Sequence, residues 1–226
     1  ALSNIEVIHK EIEGAMYYFR YRVAETGKEL VIATTRPETM FADQAIFVHP
    51  DDERYKDIVG LHAINPANGE ALPIMADDYI DMSFGTAVMK CTPAHDPNDF
   101  MLAKKYDLPM PICMNPDGTM NELCGKYAGM DRFACRKALV ADFEAAGVVD
   151  HIEKHMHQGG HSERTGVIVE PYLSRQWFVK MKPLADEVLK HQDIEEDKIH
   201  FFPNRFEKTF RQWLENIEDW CISRQL

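Results

Sequence analysis

Two polar segments of the sequence carry side chains whose types and spacing could do chemistry. The segment 34–39, TTRPET, closes an apolar run with three hydroxyls and one guanidinium, and the segment 90–99, KCTPAHDPND, holds a lysine, a threonine, a histidine and two aspartates. Asp96 and Asp99 lie three positions apart, so one turn of helix would point both toward the same cavity. The plain alternatives are a solvated turn for the first segment and a helix-capping pair for the second.

The histidines raise the question of a metal site. His95, Asp96 and Asp99 could together bind a divalent ion in a hydrolase, because imidazole and carboxylate suit several such ions. Three ligands within five consecutive residues rarely converge on one ion, so capping is the favoured interpretation. Four further histidines follow on odd-numbered positions and are expected to be polar surface residues: His151, His155, His157 and His161. The sequence therefore predicts no metal site.

Composition and charge exclude several classes of protein. The 226 residues carry 25 Lys+Arg and 37 Asp+Glu, a formal net charge of −12, which is the wrong sign for a surface that grips a nucleic-acid backbone by neutralising phosphates. Any contact with nucleic acid must therefore be local. The five cysteines include no C-x-x-C pair, which argues against both a disulfide framework and a thiolate zinc site. With no apolar run long enough for a membrane span and no secretory signal, we expect a cytoplasmic protein.

The elements that must position the two polar segments are mostly strands. The runs 16–24 and 29–35 predict a hairpin with Gly27 at its turn, and further strands are predicted at 45–48, 72–76, 85–92 and 110–114. Helices are predicted from Asp96 onward and over 131–146. Strands this dense favour a mainly β fold with peripheral helices, in which a curved or closed, barrel-like sheet replaces βαβ units. The sequence pattern changes after Gly160, and we place a domain boundary there. Beyond it we predict a short helix near 183–192 and an aromatic, amphipathic end.

Five segments in the same order resemble one protein family across nearly the whole chain: ATTRPETMFADQAIFVHPDDERYKDIVG, GTAVMKCTPAHDPNDF, GKYAGMDRF, VEPYLSRQWFVKM and WLENIEDWCISRQL. They are similar to the valyl-tRNA synthetases, a class I aminoacyl-tRNA synthetase family. The resemblance implies that residues 1–160 form an editing domain with a barrel core at about 16–150, and that 161–226 return toward a catalytic domain. Neither an HIGH nor a KMSKS signature is present, so ATP and Mg²⁺ would serve only that other domain, and editing itself would need no cofactor.

The activity implied by the resemblance is hydrolysis of threonyl-tRNA(Val), because a hydrophobic pocket that accepts valine rejects the near-isosteric threonine only weakly. The matching aspartate, Asp99, would hold the α-ammonium group of the substrate. An oriented water would attack the ester directly, since no activated nucleophile is evident. The residues to which we assign catalytic roles are Asp99, Lys90, Arg36 and Thr34, and those assigned to substrate binding are Thr35, Thr39, Thr92 and Asp96. The implied partners are the acceptor end of tRNA(Val) carrying threonine and the rest of the synthetase, with no membrane.

Three alternatives stay open on the sequence: an isoleucine-type editing domain that clears valine, a metal-dependent hydrolase, and a non-catalytic module that docks the acceptor end of tRNA. Two departures from the family pattern also matter. Gly85-Thr86-Ala87 stands where the family usually has Gly-Thr-Gly, so a methyl group could narrow the approach of the substrate. The segment 161–166 has no cysteine pair where many relatives carry one, which argues against a structural zinc.

Overall fold

The computed structural model describes residues 6–223. The described chain divides into two compact units, one through Leu173 and one from Ser174 onward. The strands are β1 (Val7–Val23), β2 (Glu29–Thr34), β3 (Ala45–Val48), β4 (His62–Ile64), β5 (Ala71–Ala76), β6 (Val88–Cys91), β7 (Val149–Ser162), β8 (Phe178–Val179) and β9 (Trp220–Cys221). The α-helices are α1 (Pro97–Tyr106), α2 (Arg132–Ala145), α3 (Met181–Gln192) and α4 (Arg205–Glu215), with 3₁₀ helices over Pro37–Ala42, Lys56–Ile58 and Glu122–Tyr127.

The predicted first hairpin is present. β1 and β2 pair antiparallel with Tyr17 opposite Thr34 and Arg22 opposite Glu29. Gly27 has φ +74 in the connecting turn, a conformation that glycine adopts without steric cost. Alternate residues of a strand point to the same face. Phe19 lies on the inner face of β1 and is fully buried. This hairpin brings the end of β2, and with it the first polar segment, to the edge of the core.

Seven strands form one mixed sheet in the order β2-β1-β4-β5-β3-β6, with β7 also paired to β1. β3 and β5 are parallel, whereas β3 and β6 are antiparallel. The predicted β-rich fold with helices is confirmed at this level. In the part of the chain that the structure describes, no ladder of hydrogen bonds joins β2 to β6, so a closed barrel stays a prediction.

Two predictions of local structure need correction. The run 110–114 is not a strand, since only Met114 forms an isolated bridge, to Met120, and prolines at 109 and 111 cannot donate ladder hydrogen bonds. The strand predicted over 85–92 is confined to β6, because Phe84–Ala87 forms a turn closed by a 3.0 Å hydrogen bond. The domain boundary near Gly160 stays a prediction; Gly160 itself lies inside β7, and the two compact units divide after Leu173.

The core of the first unit lies between the sheet and α2. Phe143 of α2 meets Phe19 of β1 edge to face, with ring centroids 5.1 Å apart. Burying an aromatic side chain of this size stabilises the fold by about 1.5–3 kcal/mol. A smaller cluster, which includes Phe47 and Leu102, packs α1 against β3. The two clusters therefore fix the ends of β2 and β6 and the start of α1, where the polar segments lie.

In the second unit, α3 confirms the predicted helix, and α4 occupies part of the predicted amphipathic end. The aromatic side chains of this unit are largely exposed, with Phe202 at 97% and Trp177 at 78%. Among residues 6–223, no helix is both long and apolar enough to cross a membrane. The assignment of this unit as a return segment stays a prediction.

Candidate functional site

All eight side chains predicted to form a site line one cleft of the first unit. They are Thr34, Thr35, Arg36, Thr39, Lys90, Thr92, Asp96 and Asp99. The cleft also includes side chains that the sequence analysis did not assign to it, among them Met16, Tyr79 and Met89. The two polar segments, more than fifty positions apart in the chain, thus form a single site.

Threonine hydroxyl groups of the first segment hydrogen-bond to its own backbone and hold its turn in place. β2 ends at Thr34, and the Thr34 Oγ1 accepts a hydrogen bond of 3.1 Å from the backbone N–H of Arg36. Pro37 occupies the first position of the following 3₁₀ helix, where its missing N–H costs nothing. Thr39 donates its hydroxyl to the Arg36 carbonyl at 2.9 Å. The turn therefore fixes the backbone of Arg36 from both sides.

The second segment is folded by its two aspartates. Asp96 caps α1 as predicted, because its Oδ1 accepts from the backbone N–H of Asn98 at 2.8 Å and of Asp99 at 3.2 Å. Asp99 Oδ2 accepts from the backbone N–H of Thr92 at 2.7 Å. Asp99 is only 7% exposed, and its burial raises the pKa of that carboxyl to about 6, although the nearby charge of Lys90 opposes the shift. A largely desolvated carboxylate of this kind is a natural partner for a cation.

Lys90 is paired with a residue that the sequence analysis missed. Its Nζ lies 2.8 Å from Oδ1 of Asp43, which is fully buried. The ammonium also donates to Thr39 Oγ1 at 3.3 Å and to Thr92 Oγ1. Desolvation acts to lower the pKa of Lys90, but the negative charges of Asp43 and Asp99 outweigh it and the pKa is raised. An ammonium group has three donors, and these three acceptors engage all of them.

The same network sets the direction of two hydroxyl groups. Thr92 donates to Asp43 Oδ1 at 2.5 Å, while Tyr21 donates its phenol to the other oxygen of Asp43 at 3.1 Å. Thr39 donates to the backbone, as described above. Because a hydroxyl has one hydrogen and two lone pairs, Thr39 and Thr92 can offer only acceptor capacity to a group in the cleft. The only sequence signal for Asp43 is its position inside the TTRPETMFADQ segment.

Arg36 is the cation of the site with donors to spare. Its Nη1 donates to the His95 carbonyl at 2.7 Å, and its Nη2 donates to Glu170. Its Nε lies 3.8 Å from Glu38, too far for a hydrogen bond. A guanidinium has five N–H groups, so more than these two contacts can be made. Of the two predicted cations, Arg36 is therefore better placed than Lys90 to contact an ester oxygen.

The geometry does not favour His95 as a proton acceptor. Its Nε2 accepts from the backbone N–H of Cys113 at 3.1 Å, and the side chain is 1% exposed. The neutral ring then carries its proton on Nδ1, so neither nitrogen offers a free lone pair. Asp96 and Asp99 each use one carboxylate oxygen to accept from backbone N–H groups. Within residues 6–223, no group of three or more His, Cys, Asp or Glu side chains is arranged to hold a metal ion.

Comparison with known proteins finds relatives over the whole chain. The sequence model for class I tRNA synthetases (I, L, M and V) matches residues 1–226. The chain is similar over all 226 residues to proteins named valine–tRNA ligase: 57% identical to that of Bacillus anthracis, 56% to that of Geobacillus kaustophilus and 58% to that of Enterococcus faecalis. It spans 26% of the length of each of these relatives.

Solved structures similar to this chain include the following one. It is the AgnB2 LeuRS of Agrobacterium radiobacter K84, determined in a ternary complex with tRNA and LeuAMS. The match has 18% sequence identity and a TM-score of 0.49, and it covers 66% of this chain and 20% of that one.

Proposed function

The chain belongs to the class I tRNA synthetases of the isoleucine, leucine, methionine and valine group, and on this premise we propose that it is the editing part of a valine–tRNA ligase, which hydrolyses mischarged threonyl-tRNA(Val). The observation that carries the proposal is the single cleft in which a buried carboxylate, two acceptor-only hydroxyls and a partly free guanidinium meet. Each of these groups matches one part of an aminoacyl ester. The fold of this part would then be the barrel of a synthetase editing domain.

Selectivity for threonine follows from the direction of the hydroxyls. Thr39 and Thr92 can accept a hydrogen bond in the cleft but cannot donate one, because their hydrogens are directed to the backbone and to Asp43. The hydroxyl of threonine can donate to either of them. The methyl group of valine cannot, and an unsatisfied buried polar group costs about 1–3 kcal/mol. The site would therefore hold threonine and disfavour valine.

The α-ammonium group of the substrate would pair with Asp99. This carboxylate is nearly buried, so its charge is weakly screened, and an incoming cation would compensate the desolvation that raises its pKa. The remaining polar contacts, from Thr34, Thr35 and Asp96, would surround the amino acid and the terminal ribose. Asp96 keeps one carboxylate oxygen for its cap and has a second that can accept from the substrate.

The reaction would be direct hydrolysis of the ester. A water oxygen forms a bond to the ester carbonyl carbon, the bond from that carbon to the ribose oxygen breaks, and a proton passes from the water to the ribose oxygen, assisted by the adjacent ribose hydroxyl. Arg36 would stabilise the negative charge that develops on the carbonyl oxygen, since an oriented donor in a partly dry site is effective at this task. Lys90 would orient Thr39 and Thr92.

Editing of this kind would use no cofactor, whereas ATP and Mg²⁺ would serve only amino-acid activation elsewhere in the synthetase. The partners would be the acceptor end of tRNA(Val) and the rest of the synthetase, in the cytoplasm. With a net charge of −12, the chain would bind few phosphates itself and would depend on the synthetase to hold the tRNA.

A deacylation assay on threonyl-tRNA(Val) tests the proposal. The chain should release threonine, and Asp99→Ala should slow the release by about 30-fold to 800-fold, the equivalent of losing about 2–4 kcal/mol of transition-state binding. A near-wild-type rate for Asp99→Ala would mean that the site has been misplaced.

A further inference from the structure

The side chain of Arg36 is held by an acidic residue that lies far away in the sequence. Nη2 of Arg36 donates to Oε2 of Glu170, 134 positions along the chain. Glu170 follows β7 and its side chain is 15% exposed. The cleft thus depends on a third chain segment in addition to the two polar segments that line it.

Glu170 is itself fixed in place. Its Oε1 forms an ion pair of 2.9 Å with Nε of Arg132, the first residue of α2. Arg132 is 9% exposed and donates through Nη2 to the carbonyl of Ile168 at 3.3 Å. Its guanidinium also packs over Gly118, where a Cβ atom would come within 2.4 Å of Nη1. A carboxylate supported in this way holds a defined position.

A second glutamate near Arg36, Glu38, is engaged by another cation. Glu38 is fully buried and makes two hydrogen bonds, of 2.6 and 2.7 Å, to Arg136. Arg136 neutralises it, and Arg36 lies beyond hydrogen-bond distance from it. Glu170 is therefore the carboxylate that orients the guanidinium of Arg36, while the His95 carbonyl limits its rotation from the other side.

We propose that Glu170 is a positioning residue for the hydrolytic reaction and acts by holding the guanidinium of Arg36 at the ester. The inference rests on the proposed editing function. An arginine side chain has several rotatable bonds and is effective as an oxyanion donor only when it is pre-oriented. Glu170 supplies this orientation through one of the five N–H groups and leaves others free for the substrate.

The test is a double-mutant cycle measured by single-turnover deacylation of threonyl-tRNA(Val) at saturating chain concentration. Glu170→Gln keeps the size of the side chain and removes its charge, and we expect the rate to fall by about tenfold to hundredfold, the range for a misplaced catalytic group. Arg36→Lys should also lower the rate. Because Glu170 acts through Arg36, the double variant should be no slower than Arg36→Lys alone.

Two further variants separate positioning from a general loss of structure. Glu170→Asp retains the charge on a shorter side chain, so its rate should lie between those of the wild type and Glu170→Gln. Glu144→Gln, an exposed glutamate of α2, should match the wild type. The apparent KM should change less than the saturated rate, and the thermal midpoint of each variant shows whether it is folded at the assay temperature.

The outcomes distinguish the proposed editing function from the positioning role of Glu170. If the wild-type chain does not hydrolyse threonyl-tRNA(Val), the proposed function fails and the positioning role fails with it. If the wild type is active and Glu170→Gln has the same rate, only the positioning role is overturned. The same conclusion follows if the two single losses multiply in the double variant, since Glu170 would then act independently of Arg36. If Glu170→Gln is unfolded, Glu170→Asp takes its place in the cycle, and its rate is compared alone and in combination with Arg36→Lys.

Discussion

Nζ of Lys90 lies 2.8 Å from Oδ1 of Asp43, and the two side chains are 9% and 0% exposed. Hydrogen bonds with this buried ion pair orient two hydroxyl groups of the cleft, those of Thr39 and Thr92. Taking two charges out of water is costly, and the pair is tolerated because further hydrogen bonds, from Tyr21 and Thr92, satisfy the carboxylate.

Removing one partner of this pair should be far more harmful than removing both charges. Lys90→Met leaves the Asp43 carboxylate buried without its cation and is expected to lower the free energy of unfolding by about 3–5 kcal/mol. Lys90→Met with Asp43→Asn should lose clearly less, because no unpaired charge stays buried. Urea unfolding of the two variants and of Asp43→Asn measures the coupling. Additive losses would contradict the description of the pair.

Ionised Asp99 should lower the free energy of unfolding, although the same carboxylate is the proposed partner of the substrate. Its pKa in the folded chain is raised to about 6, so the folded state binds more protons than the unfolded state between the ordinary aspartate pKa and about 6. The free energy of unfolding must therefore fall as pH rises through that window.

The matched variant is Asp99→Asn, which cannot ionise. We expect it to be more stable than the wild type at neutral pH by about 1–3 kcal/mol, since one pKa unit corresponds to about 1.4 kcal/mol. Hydrolysis should be lost in the same variant. Chemical unfolding below and above pH about 6 measures the difference in stability. If Asp99→Asn is less stable than the wild type at neutral pH, burial of the ionised carboxylate does not destabilise the fold.

The pH dependence of hydrolysis should follow the same group. Pairing with the α-ammonium needs ionised Asp99, so kcat/KM should rise with pH through about 6 before other groups intervene. The assay subtracts the spontaneous hydrolysis of the ester at each pH. A kcat/KM that is flat across this range would separate Asp99 from substrate binding.

The backbone at Ala87 carries strain that a single substitution should relieve. Ala87 has φ +57, in the left-handed region where an L side chain costs about 1–2 kcal/mol. Ala87→Gly should therefore raise the free energy of unfolding by up to about 1 kcal/mol, after the extra entropy of glycine in the unfolded chain is counted. The control is Ala128→Gly, where φ is −58 and the substitution should destabilise the chain. Equal effects at the two positions would show that Ala87 is not strained.

Removal of metal ions should leave hydrolysis unchanged. Asp96 and Asp99 each use a carboxylate oxygen to accept from backbone N–H groups, and His95 accepts from the backbone N–H of Cys113, so these three side chains are not arranged around a metal ion. Prolonged treatment with EDTA, followed by assay with a tRNA whose folding without Mg²⁺ has been checked, is the measurement. Activity that is lost and then restored by zinc or magnesium would favour a metal-dependent hydrolase.

The parts of the site that the sequence could predict are those whose function is local. The sequence predicts Asp96 as a cap and Thr34 as the end of an apolar run, because each side chain binds backbone only a few residues away. Asp43 and Glu170 were not predicted, since each has its role only through a cation that the fold brings from another segment. No spacing in the sequence marks such a pair.

The fold shows the same division between local and tertiary signals. The sequence predicts α2 close to its observed ends because the helix has a cap, an apolar face and a terminal glycine. β7 was not predicted as a strand, since much of it forms a ribbon with β1 alone, and its polar side chains on both faces remove the usual alternation. Pairing with a distant strand decides the structure of such a segment.

The measurement that tests the central claim most directly is deacylation of threonyl-tRNA(Val) and valyl-tRNA(Val) by the same preparation, side by side. The account predicts rapid loss of threonine and slow loss of valine, because only the threonine hydroxyl can donate to Thr39 and Thr92. Removal of the Thr92 hydroxyl in Thr92→Val should narrow the difference. Equal rates on the two esters, or faster loss of valine, would contradict the assignment of this cleft as a site that edits threonine.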